Sequence, residues 1–142
     1  MKIDFKDLHI GSLIETRVTE KGIDIDRICS FMKRDEEDIK KMYASKNLDS
    51  DIILRWSKLL EYDFFRFFSQ HLILYAPPSN SNYNRITSTS ALPEFRKNLY
   101  TTEVIDFILD LLANKEKTKL EIMKEYRIPK STLHRWIEKY KK

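Results

Sequence analysis

Residues 117–142 read KTKLEIMKEYRIPKSTLHRWIEKYKK, and this stretch decides the fold of the C-terminal part of the chain. Thr118 is a suitable N-cap for a short helix that ends near Tyr126, and the glutamate at the third helical position completes a capping box. Pro129 has no N–H to donate and disfavours helix in the residue before it, so it marks a break. A second helix begins near Lys130, because the fixed φ of proline suits a first turn. The stretch therefore predicts two short helices joined by a tight turn.

Each of these helices has one apolar side, since apolar residues recur at three- and four-residue steps. The other side of the second helix is polar and basic from its first residue onward. The apolar positions are Leu120, Ile122 and Met123 in the first helix and Leu133, Trp136, Ile137 and Tyr140 in the second.

The polar side of the second helix suits the DNA major groove. A helix there needs first turns without bulky apolar groups, and it needs donors for base edges and phosphates. The predicted reading face consists of Lys130, Ser131, Thr132, His134 and Arg135, and the predicted phosphate contacts are Lys119, Lys124 and Lys139. The alternative is a solvated, lysine-rich surface helix.

The order of residues in IPKSTLHRWIEKY also resembles the helix-turn-helix of insertion-sequence transposase DNA-binding subunits and related homeodomain-like modules. The shared features are the short turn, the Lys-Ser-Thr-Leu start and the Arg-Trp pair. The resemblance covers residues 99–142 and implies a DNA-binding helix-turn-helix. A third, strongly apolar helix predicted at 102–114 would brace the pair, giving a small three-helix unit that is marginal alone.

Composition indicates a nearly all-α protein, because the 142 residues include only two glycines and four prolines and helical periodicity runs throughout. The net charge of +4 is unevenly distributed. Residues 1–76 carry 13 basic and 14 acidic side chains, a net charge of −1, whereas residues 77–142 carry 13 and 8, a net charge of +5. We therefore expect the C-terminal part of the chain to be the part that attracts a polyanion.

The N-terminal part contains apolar residues at helical spacing that predict five short helices. Gly22 is a natural stop for the first of them, and Asp24, Asp35 and either Asp49 or Ser50 are natural N-caps. The predicted helices are 8–21, 25–32, 36–45, 51–60 and 64–75.

These five helices resemble the phage-repressor-like DNA-binding domain. The residues that carry the resemblance are HIG at 9–11, KGI at 21–23 and LRWSKLL at 54–60, followed by YDFF at 62–65. An aspartate followed by paired phenylalanines is similar to the end of this domain in one bacterial subgroup. The resemblance implies that the second and third helices form a helix-turn-helix with the third as the recognition helix.

That third helix departs from what DNA binding requires, because it opens with the four carboxylates of Asp35-Glu36-Glu37-Asp38. Carboxylates at a helix N-terminus suit the helix dipole but repel phosphates. This repulsion is partly offset from the flanks by Lys33, Arg34, Lys40, Lys41 and Lys46. Carboxylates can also accept from cytosine N4. Two interpretations stay open: the module contacts DNA, or its fold is used for dimerisation or partner binding.

The fifth predicted helix, Phe64–Tyr75, is aromatic or aliphatic around most of its circumference. A small domain has little room to bury all of these side chains, and an exposed remainder would mark an interface. The helix predicts a homodimer contact, with simple core packing as the alternative. After it, residues 77–93 are rich in proline, serine, asparagine and threonine and predict a flexible linker between domains at 1–76 and 94–142.

No catalytic constellation, phosphate-binding glycine loop or metal-ligand spacing is present in the sequence, so we expect neither an enzyme nor a cofactor or metal. No long apolar stretch or signal-peptide core occurs, and the single cysteine, Cys29, is predicted to be a buried structural thiol. We expect a cytoplasmic, nucleoid-associated protein that binds double-stranded DNA sequence-specifically through tandem helix-turn-helix modules, as a transcriptional regulator. The alternatives are a DNA-binding accessory subunit of a transposable element and a helical module that binds protein.

Overall fold

The computed structural model describes residues 3–76, 91–93 and 100–140. Within these residues the chain forms eight helices and no strand, which confirms the all-α prediction. The helices are α1 (Ile10–Lys21), α2 (Ile25–Met32), α3 (Glu36–Ala44), α4 (Ser50–Leu60), α5 (Phe65–Tyr75), α6 (Thr102–Ala113), α7 (Lys119–Glu125) and α8 (Lys130–Lys139). Most of the predicted linker, residues 77–90, and the segment 94–99 lie outside the described residues, so the domain boundaries stay a prediction.

The chain divides into two compact units, residues 1–69 and 70–142. The division falls inside α5, between Ser69 and Gln70, so this helix contributes residues to both units. Each unit has its own buried apolar residues.

The first unit is built around α4, which packs against α1 and α2, while α3 packs against the same two helices. Trp56 of α4 is completely buried, and its indole N–H donates to Met42 Sδ at 3.4 Å. The Tyr43 ring lies 5.8 Å from the Trp56 ring, centroid to centroid. Ile28 of α2 and Ile39 of α3 are also buried, so both helices of the first predicted helix-turn-helix are held by packing on their inner sides.

The start of α1 lies directly against the end of α3. Ile10 N donates to Lys46 O at 3.2 Å, and Gly11 N donates to Ser45 O at 3.0 Å. Amides left without intrahelical partners at the start of one helix therefore bind carbonyls at the end of another. The approach is so close that a Cβ at residue 11 would lie 2.3 Å from Met42 O. Glycine is the residue that permits this contact.

The helix ends mostly follow the predicted signals. Asp35 and Thr118 act as N-caps, accepting hydrogen bonds from Asp38 N and Glu121 N respectively. Gly22 ends α1 with a left-handed φ of 65°. Asp24 and Asp49 occupy N-cap positions but make no capping hydrogen bond with their side chains.

The second unit contains the last residues of α5 as well as α6, α7 and α8. Gln70 of α5 is only 3% exposed, and its Oε1 accepts from Thr101 N at 3.3 Å at the start of α6. The Tyr126 ring, at the end of α7, meets the Tyr75 and Phe107 rings edge-on, with centroids 6.4 and 6.2 Å away. The C-terminal helices of the predicted three-helix unit thus pack with a fourth helical element.

Two of the predicted apolar positions are exposed, and the predictions for Cys29 and for the start of the first helix were wrong. Leu120 is 76% exposed, because the seven-residue α7 fully buries only Ile122 among its side chains. Tyr140 is 37% exposed, since it is the C-cap of α8 and lies beyond the packed turns. Cys29 is half-buried rather than buried. The first helix begins at residue 10 rather than 8, because His9 is extended and acts as its N-cap.

Candidate nucleic-acid interface

The turn between α7 and α8 fixes the direction of the last helix. Arg127 has a left-handed φ of 57°, and Ile128 that follows it is buried. Pro129 is the N-cap of α8, with an extended ψ of 145°. Burial raises the pKa of the Tyr126 phenol, and the neighbouring Glu125 carboxylate raises it further. The turn is therefore short, neutral on its inner side and anchored by two buried side chains.

The inner side of α8 is fully used in packing. Leu133 and Trp136 are buried, and the Trp136 ring meets the Tyr100 ring edge-on at 4.9 Å between centroids. Thr132 and Ile137 are half-buried at the margins. Because large side chains anchor α8 from within, its opposite side has a fixed orientation relative to α6 and α7.

That opposite side carries most of the predicted reading face. Four predicted residues are exposed, and the fifth, Thr132, is half-buried. No acidic residue lies in the first turn of α8, and the side chain of its N-cap makes no hydrogen bond with the first amides. No carboxylate therefore caps the start of α8, and basic side chains flank it. The exposed residues of the predicted face are Lys130, Ser131, His134 and Arg135.

The three predicted phosphate contacts are all exposed. Lys119 opens α7, Lys124 lies in its last turn, and Lys139 ends α8, where its Nζ lies 5.4 Å from the centre of the Tyr140 ring. Lys117 differs from them, since its Nζ pairs with Glu125 and lies 5.5 Å from the Tyr126 ring. Residues 117–140 hold seven basic and three acidic side chains, a net charge of +4.

The first predicted helix-turn-helix has the opposite charge at the start of its predicted recognition helix, α3. The N-terminus of α3 is capped by its own carboxylate, with Asp35 Oδ1 accepting from Asp38 N at 2.8 Å, and its first turn is acidic at every position. Arg34, Lys40 and Lys41, the predicted contacts here, are exposed. Lys40 lies 3.5 Å from a Glu36 carboxylate oxygen, so part of its charge is neutralised locally.

Two exposed residues near the reading face were missed at the sequence level. Glu138 follows Ser131 by seven residues and Arg135 by three, which places it on the outer side of α8. The same spacing rule that identified Arg135 could have identified it. Arg127 is exposed in the turn, and its left-handed backbone gave no sequence signal because non-glycine residues rarely adopt it.

The part of the chain that the structure describes shows neither a metal-binding cluster nor a membrane-spanning helix. There, no three His, Cys, Asp or Glu side chains come together in a way that could hold a metal ion. The helices described are all too short or too polar to cross a membrane. No protein-family model matches the chain, and no curated protein or solved structure matches it either.

Proposed function

We propose that this protein binds double-stranded DNA by inserting α8 into the major groove. The bases of the DNA would then be read by Lys130, Ser131, Thr132, His134 and Arg135. The observation that carries the proposal is the two-sidedness of α8: its large apolar side chains are buried, while its uncapped first turn exposes donors. Buried packing supplies the rigidity, and the exposed donors match base-edge acceptors in the groove.

The surrounding charges support the same proposal. Lys119, Lys124 and Lys139 flank α8 and would neutralise phosphates on either side of the groove. Each neutralised phosphate releases condensed counterions, so binding by these residues must weaken as salt rises. If α8 were only a solvated, lysine-rich surface helix, substituting one of these lysines would not change the salt dependence of DNA binding.

We propose that the first unit does not read the DNA sequence. The carboxylates at the start of α3 would lie against phosphates if α3 entered a groove, and Lys40 is already engaged by Glu36. We therefore assign sequence reading to α8, and assign at most flanking phosphate contacts to Arg34, Lys40 and Lys41.

We also infer that α5 joins two copies of the chain. On this helix Phe67 and Leu74 are buried, but Phe68 is 37% exposed and Leu72 is 58% exposed, four residues apart on one side. Two copies would present two reading helices to two half-sites. Sedimentation equilibrium tests this: wild type should be dimeric, and Leu72→Glu should shift it toward monomer. A monomeric wild type at micromolar concentration contradicts the inference.

The DNA-binding proposal is tested by fluorescence anisotropy with labelled duplexes over a range of salt. Arg135→Ala should weaken binding to a selected site by roughly 5- to 150-fold, and Lys124→Ala should reduce the salt slope by about 1. Lys6→Ala is the matched control, because this exposed lysine lies outside both helix-turn-helix motifs. If Arg135→Ala and Lys130→Ala both bind like the control, the reading face is wrong.

The proposed cellular role is transcriptional regulation in the cytoplasm, in association with the nucleoid. An accessory DNA-binding subunit of a mobile element would use the same face of α8, and the genes adjacent to the coding sequence discriminate between the two. A purely protein-binding module is excluded by a steep salt slope that depends on Arg135 and Lys130.

A further inference from the structure

Glu138 is an acidic residue on the otherwise basic and polar outer side of α8, near its C-terminal end. At about 100° per residue, Ser131, Arg135 and Glu138 fall within roughly 60° of one another around the axis of α8. All three are exposed. Leu133 and Trp136 are buried on the opposite side, so α8 cannot rotate to hide the carboxylate. A duplex lying along this side of α8 can therefore meet both Arg135 and Glu138.

Within the described residues, the Glu138 carboxylate makes no ion pair or hydrogen bond. Arg135 precedes it by three residues and His134 by four, which are spacings that allow side-chain pairing on a helix. Neither side chain pairs with it, so both the carboxylate and the Arg135 guanidinium are available to a ligand. This separates Glu138 from Glu36 and Glu125, which are paired with lysines.

A free carboxylate at this point opposes nonspecific DNA binding, because it repels phosphates wherever α8 lies. The carboxylate favours DNA binding only where it accepts a hydrogen bond from a donor on the DNA. In the major groove the donor that suits a carboxylate is the N4 amino group of cytosine, whereas arginine suits guanine O6 and N7. Three residues of helix rise about 4.5 Å, close to the spacing of about 3.4 Å between stacked base pairs.

We propose that Glu138 is a specificity-determining residue of the proposed DNA-binding site, selecting a cytosine next to the guanine read by Arg135. The inference rests on the proposed function of α8 and adds its base preference. Glu138 lowers affinity for DNA in general and restores it at sites where its carboxylate accepts from cytosine N4. Its contribution is therefore discrimination rather than affinity.

The test is selection of bound duplexes from a random pool with the full chain, followed by affinity measurements on the selected site and its single-base variants. Wild type should select a cytosine beside a guanine. Glu138→Gln should change the preferred base at that one position from cytosine to adenine, because the amide pairs with adenine N6 and N7. The reversal of preference should be roughly tenfold. Glu138→Ala should bind with no preference at that position.

Glu103→Gln is the control, because it removes the same charge from an exposed position on α6. It should leave every base preference unchanged. If Glu138→Gln and Glu138→Ala bind all sequences more tightly with an unchanged preference, the carboxylate only repels phosphate and the inference is overturned, while DNA binding by α8 stands. A selected site without cytosine beside guanine overturns it as well. If wild type enriches no sequence, the proposed function fails and the inference fails with it.

Discussion

Replacing Gly11 by alanine tests the close junction between α1 and α3. A Cβ at this position would lie 2.3, 2.5 and 2.6 Å from the carbonyl oxygens of Met42, Tyr43 and Ser45. All three obstacles are backbone atoms, so no side-chain rotation removes them. Ordinary contact begins at 3.4 Å, and the two backbones must therefore separate by 3.4 − 2.3 = 1.1 Å.

The free energy of unfolding of the first unit should fall by about 2–4 kcal/mol. Separation stretches the hydrogen bonds from Ile10 N and Gly11 N, at 3.2 and 3.0 Å, beyond useful length, and each contributes about 1 kcal/mol. Overpacking costs about 1–3 kcal/mol more. The higher helix propensity of alanine offsets about 1 kcal/mol. A domain of this size is stable by only about 3–10 kcal/mol in total, so the change is large.

Urea unfolding followed by tryptophan fluorescence measures the effect. The chain has two tryptophans, so a Trp136→Phe background leaves the fully buried Trp56 as the only reporter. Gly22→Ala is the matched control, because nothing lies within 4 Å of its Cβ and only the left-handed φ of 65° opposes it. That conformation costs roughly 1–2 kcal/mol.

We expect the highest urea midpoint for wild type, a lower one for Gly22→Ala and the lowest for Gly11→Ala. A Gly11→Ala midpoint equal to or above that of Gly22→Ala would refute the argument. It would mean that the junction between α1 and α3 is looser than the hydrogen bonds indicate, or that α1 can shift without loss.

Three further predictions concern other parts of the fold. Gln70→Leu should lower the thermal stability of the second unit by about 1–2 kcal/mol, measured by Trp136 fluorescence, because Thr101 loses its buried acceptor. Burial, then the charge of Glu15, raises the pKa of Tyr43 to about 12. The neutral Tyr43 phenol therefore contributes fully to the free energy of unfolding below pH 10, and this contribution should be lost as pH rises toward 12. Tyr43→Phe should reduce the loss of stability in alkaline urea titrations. Lys33→Gly should raise the urea midpoint by the equivalent of about 1 kcal/mol, since Lys33 has a left-handed φ of 56°.

Local sequence signals were sufficient to place the helices of both units. Gly22 and Pro129 interrupt the chain at points where their own backbone chemistry requires it. The apolar periodicity between such breaks predicted every helix, and each helix end that was predicted lies within two residues of the observed one. The exposed side of α8 followed from the same rule, because the side opposite Leu133 and Trp136 must be exposed once those residues are buried.

Contacts between distant residues were beyond these signals. The hydrogen bond from Thr101 to Gln70 joins residues 31 apart in the chain, and nothing around either residue marks it. The need for glycine at position 11 arises from carbonyls of α3, not from a turn in α1. Leu120 satisfied the apolar spacing but is exposed, because periodicity gives the side of a helix and not whether another element covers it.

The two predicted helix-turn-helix motifs differ in how the start of their second helix is stabilised, and this difference bears on the proposed function. Asp35 caps α3 by accepting from Asp38 N, an interaction that contributes about 1 kcal/mol to a helix. The same cap covers the amides and positive end of the dipole that a phosphate would contact. α8 lacks a side-chain cap and depends on packing, where burial of a large apolar side chain contributes about 1.5–3 kcal/mol. A helix stabilised from its buried side can leave its first turn available to a ligand. For this reason α8, rather than α3, is the helix to which we assign DNA reading.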